Sequence, residues 1–74
     1  MDIAQVTDQQ LWNHVFLNRD FDDVLNEIDE QVDQDEYADR EEAFIDKVDL
    51  THRFTRSEIK RAAQRLLAFA EEQE

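Results

Sequence analysis

"TRSEIKRAAQRLLAFA", residues 55–70, is the stretch that decides the fold. Thr55 and Glu58 have the separation of a capping box, in which the threonine hydroxyl accepts from the backbone N–H of residue 58 and the glutamate reaches back to that of residue 55. Phe54 and Ile59 flank it as a hydrophobic staple. Beyond the box, Ile59, Ala62, Ala63, Leu66, Leu67, Phe69 and Ala70 recur at the steps that gather side chains on one helix face. A helix over about 56–72 follows, with its apolar side turned to a core.

The same signals appear upstream. Thr7 and Gln10 form a second capping box, with Val6 and Leu11 as its staple, and open a helix over about 8–17 that buries Leu11, Trp12, Val15 and Phe16. Asn18 to Asp20 make a short turn, and Asp20 caps a helix over about 21–33 whose stripe is Phe21, Val24, Leu25, Ile28 and Val32. The stripe loses register at Asp33 to Asp35, which predicts a break or, without Gly or Pro to enforce one, a bend in a continuous helix. Tyr37, Phe44, Ile45 and Val48 then define a helix over about 36–49, capped by Asp35 or Asp39, with Glu41 in the middle of its stripe. The expected architecture is all-α, a single-domain bundle of three to four short helices.

Composition agrees. The chain has 74 residues with no Gly, Pro or Cys. Glycine-rich phosphate loops, proline corners, disulfides and thiolate metal sites therefore have no residues to build them. No apolar run reaches the ~20 residues of a membrane span, and the N-terminus lacks a basic start followed by an apolar stretch, so a cytoplasmic protein without membrane partners is expected.

Charge is the functional signal. From Asp20 to Asp49 there are 14 carboxylates against Arg40 and Lys47, a net of −12 that equals the charge of the whole chain. Asp22, Asp23, Glu27, Glu30 and Asp33 fall opposite the apolar stripe of the second helix, and Glu42, Asp46 and Asp49 do the same on the third. We take Asp22, Asp23, Glu27, Glu30, Asp33, Glu42 and Asp46 as the candidate partner-binding face. If 30 residues were continuously helical they would span ~45 Å, with carboxylates about 3.2 Å apart along the axis. One DNA strand carries a charge per ~3.4 Å, so a basic, nucleic-acid-binding surface of a partner protein is a natural target. Crowding of like charges should also raise carboxylate pKa values and make mild acid stabilising.

A smaller basic segment offers an alternative face, Arg53, Arg56, Lys60, Arg61 and Arg65, suited to phosphates if the last helix were the recognition helix of a helix-turn-helix regulator. The acidic neighbour opposes that use, and no direct nucleic-acid binding is expected. The basic segment could instead meet the acidic face of a second copy, making a homodimer possible. Trp12, Leu17, Leu50, Leu67 and Phe69 exceed what a narrow core needs, with Leu17 and Phe69 at the edges of their stripes, and so are candidates for an interface.

Catalytic chemistry has little to stand on. Ser57 lies in the first turn of a helix and has no hydrolase context. Asp33, Asp35 and Asp39 resemble a calcium loop only loosely, lacking the turn glycine and carrying Phe44 where a bidentate glutamate belongs. Glu27-x-x-Glu30 and Glu36-x-x-Asp39 place carboxylates one helical turn apart, a spacing that arises readily in an acid-rich chain. His14 and His52 have no Glu-x-x-His partner. The sequence reading is therefore a non-enzymatic acidic binding module without metal or cofactor. By size and charge it fits a small inhibitor or modulator of phage or mobile-element type, with a structural or adaptor subunit as the other reading.

Overall fold

The computed structural model describes residues 2–50 and 54–74. Among them are a 3₁₀ turn, Ile3–Gln5, and four α-helices: α1 (Asp8–Phe16), α2 (Phe21–Asp33), α3 (Arg40–Leu50) and α4 (Arg56–Glu72), with no strand. Both capping boxes are present. Thr7 Oγ1 accepts from Gln10 N at 3.1 Å while Gln10 Oε1 accepts from Thr7 N at 2.9 Å. Thr55 and Glu58 make the same reciprocal pair at 3.3 and 3.0 Å.

The helix ends had to be made without glycine. At the end of α2, Asp35 adopts φ 61°, and the N–H groups of Asp35 and Glu36 donate to the carbonyls of Val32 and Gln31 at 3.0 and 2.9 Å. This is the Schellman arrangement with an aspartate where glycine usually stands, tolerated because a short polar side chain suffers least in the left-handed region. Asp35 therefore ends α2 and cannot cap α3. That role falls to Asp39, whose Oδ1 accepts from Glu42 N at 2.9 Å, so α3 begins at Arg40, four residues later than the apolar spacing suggests. Asp20 stands at the N-cap of α2, but its side chain makes no capping hydrogen bond.

α1 stops one residue early for a related reason. Leu17 and Asn18 have φ of 54° and 65°, and the indole Nε1–H of Trp12 donates to the carbonyl of Arg19 at 2.8 Å, fixing this turn onto the core. Trp12 is fully enclosed, its ring 4.4 Å from Phe16 and 4.6 Å from Phe21, centre to centre. Around it pack Leu11, Val24, Ile28, Phe44, Val48 and Leu66, all buried. Phe69 closes the edge of this cluster against Phe21 at 5.2 Å, and Leu67 is half-buried beside it. Of the five apolar residues expected to exceed the core, only Leu17 (81%) and Leu50 (66%) remain exposed.

The α4 cation Arg65 holds the start of the chain. Its guanidinium donates to Asp8 Oδ1 at 2.8 Å, to the Val6 carbonyl at 2.9 Å and to the Ile3 carbonyl. Those contacts seat the 3₁₀ turn so that Ile3 enters the core.

Candidate protein-binding surface

The seven acidic residues do not form one track. The longest dimension of the molecule is 34 Å, and residues 34–39 are not helical, so a straight 45 Å path does not exist. Glu36 and Asp39 thereby lose the one-turn helical spacing, and Asp39 is occupied as the cap of α3.

Between α2 and α3 runs a seam of ion pairs. Glu27, on one flank of α2, accepts from Arg19 at 2.7 Å and from Lys47 at 3.3 Å. Asp29, on the other flank, takes Arg40 in a bidentate fork with both distances 2.8 Å. Arg40 extends to Glu71 in the last turn of α4 and to Glu74 just beyond it, at 3.2 and 3.1 Å. The hydrogen bond from Arg19 holds the Glu27 carboxyl below the usual carboxylate range, and the Arg40 guanidinium does the same to Asp29. At the start of α4, the Thr55 backbone N–H lowers Glu58. These displacements have the opposite sign to the one expected from crowding, because each of these carboxylates has found a donor.

What remains on α2 is a row on its solvent crest. Asp22, Glu30 and Asp33 lie along a line of three- and four-residue steps that passes through Asn26, with Asp23 beside it, and all are exposed. None of these four carboxylates is in an ion pair among the described residues; Glu30 has only a long contact from the Gln34 amide, 3.4 Å. The row covers ~16 Å at 1.5 Å per residue, an average of about 5.5 Å per carboxylate step with the widest gap at Asn26, sparser than a nucleic-acid strand.

The α3 carboxylates have separate work. Glu42 accepts from the Ala38 N–H at 3.0 Å, bracing the loop before α3. Asp46 accepts from the Tyr37 hydroxyl at 2.6 Å, and this bond is the main reason the phenol is pushed up to about 12. Glu42, Asp46 and Asp49 face a groove shared with α4.

Of the basic segment, Arg65 is bound to the N-terminal turn, while Arg56, Lys60 and Arg61 are exposed. Arg53 and His52 lie outside the described residues. No group of three or more His, Cys, Asp or Glu among the described residues is arranged to hold a metal ion, and no described helix is long and apolar enough to cross a membrane. Comparison with protein-family models, curated proteins and solved structures finds no match. The surface itself is therefore the source of any functional reading.

Proposed function

We propose that this chain is a non-enzymatic acidic binding module that docks the α2 crest, Asp22, Asp23, Glu30 and Asp33, on a basic surface of a partner protein. If that surface is the partner's nucleic-acid groove, the module acts as an inhibitor or modulator by occupying it. One observation carries the reading: carboxylates on the flanks of α2 are matched with cations, whereas those on its crest are in no ion pair among the described residues. Two of them sit against the local electrostatics. α2 has no basic residue in its last turn, where Glu30 and Asp33 lie, and anions there oppose the helix macrodipole. Folding gains nothing from that placement, and an electrostatically steered encounter does.

The test compares wild type, D22N/D23N/E30Q/D33N and the flank variant E27Q as baits in partner capture at low and high salt. The reading requires a protein held by wild type and E27Q at low salt, released by salt, and lost with the fourfold variant. Retention of the same protein by the fourfold variant would refute it.

A further inference from the structure

The groove between α3 and α4 carries opposite charge on its two walls. Glu42, Asp46 and Asp49 line the α3 side, Arg56 and Lys60 the α4 side, above a floor of Tyr37, Ile45 and Ile59. It holds about 520 Å³, within the ~300–1,000 Å³ typical of sites that take side chains or ligands. The Tyr37 hydroxyl, 2.6 Å from Asp46, fixes that carboxylate on its wall.

Four of the described cations are taken up within the fold. Arg19, Arg40, Lys47 and Arg65 are all held in ion pairs. Arg56, Lys60 and Arg61 are exposed and in no ion pair among the described residues, in a chain with 20 carboxylates, and the first two line the groove. Three carboxylates against two cations leave the walls nearly balanced, unlike the rest of a surface that totals −12.

We propose that this groove is the interface of a homodimer, with a second copy of the chain as its occupant. The order of charge selects the symmetry. A half-turn about an axis running along the groove lays each copy's acidic wall over the other's basic wall, making the complementary contact twice. A half-turn about an axis running across it would set like charge on like. Two copies of net charge −12 repel over most of their surfaces, and the nearly balanced groove is a place where they can approach. Ile45, Ile59 and Tyr37, half-buried in each chain, supply the apolar centre that such an interface needs. A standard interface takes ~800 Å² per partner, about one-sixth of this chain's 4809 Å². The α2 crest is not among the groove residues, so the dimer would present two crests, and this inference stands independently of their use.

Sedimentation equilibrium of the full chain tests it, over concentrations reaching ~200 µM because interface affinities extend to the micromolar range. The expected mass is about twice the 8.9 kDa of one chain. Asp49→Lys and Lys60→Glu should each weaken the dimer about tenfold or more, because each breaks two symmetry-related contacts, and the double swap should return affinity to within about threefold of wild type. Both positions are exposed and in no ion pair among the described residues, so circular dichroism should be unchanged. A wild type that stays monomeric overturns the proposal, as do single variants that dimerise like wild type or a double swap weaker than both. Dilution of the unmodified protein followed by NMR is a check that needs no variant. Amide shifts should change around Ile45, Asp49, Ile59 and Lys60, and shifts confined to other surfaces would overturn this interface.

Discussion

Glu30 and Asp33 occupy the last turn of α2, where the helix exposes the partial negative charge of its final carbonyls and offers no basic side chain to balance them. Each exposed anion in that position costs ~0.3–1 kcal/mol, and a like-charge pair three residues apart adds a few tenths more. Replacing them by Gln and Asn removes both effects with little change of shape. The Gln34 amide contact to residue 30, long at 3.4 Å, survives because a glutamine oxygen still accepts. The double variant E30Q/D33N should therefore be more stable than wild type by ~1–2 kcal/mol, which for a domain of this size raises Tm by about 4–8 °C per kcal/mol. Thermal melts followed by circular dichroism at low salt and at 1 M NaCl read the effect and its origin. The gain should shrink in salt as the Debye length falls from ~10 Å at 0.1 M to ~3 Å. A lower Tm for E30Q/D33N, or a gain indifferent to salt, would refute the claim that these two carboxylates stand against the fold.

Other consequences are measurable in the same way. Leu17→Gly should stabilise the protein by about 0.5–1 kcal/mol in chemical denaturation, since a left-handed leucine costs ~1–2 kcal/mol and the added freedom of an unfolded glycine returns ~0.5–1; a clear loss would show that Leu17 holds the turn in some other way. Arg65→Met keeps the stem of the side chain but strips the donors from Ile3, Val6 and Asp8, and should cost ~2 kcal/mol by thermal melt, whereas Arg61→Met should cost little; coincident melts would remove Arg65 from its structural role. Glu27 and Asp29 are held below their ordinary values of 4.5 and 3.8, so their stabilisation is complete above those values and disappears as pH falls through the lower folded-state pKa values. The Tm of E27Q/D29N should lie below that of wild type at pH 7, and the gap should close as pH is taken below those ordinary values; a gap that stays constant would contradict the ion-pair seam.

Legibility in the sequence followed the range of the interactions. The capping boxes at Thr7 and Thr55 are complete within four residues, and both set helix starts where the pattern placed them. The stripe from Phe21 to Val32 repeats often enough to define α2 without help from elsewhere. The beginning of α3 was obscured because the chain has no glycine to mark a helix end; Asp35 took that position, and nothing in its local sequence separates a terminating aspartate from a capping one. The 3₁₀ turn at Ile3–Gln5 is too short to show a period. The surface depended most on distant partners. Arg65 reads as an available cation until the chain folds and brings Ile3, Val6 and Asp8 to it across about 60 residues. Glu27 reads as part of an acidic face until Lys47 reaches it from α3. Helical phase does distinguish the crest of α2 from its flanks, but the cations that neutralise only the flanks are visible in three dimensions alone.

The most direct test of the central claim is a calorimetric titration of a partner captured by the wild-type chain, carried out with wild type and with D22N/D23N/E30Q/D33N at matched salt. Loss of four steering and contacting charges from one row should weaken binding by about 100-fold or more, with helicity intact by circular dichroism. Competing nucleic acid should reduce wild-type affinity where the partner's groove is the docking surface. Equal affinity of the two proteins would contradict the assignment of the α2 crest as the binding surface.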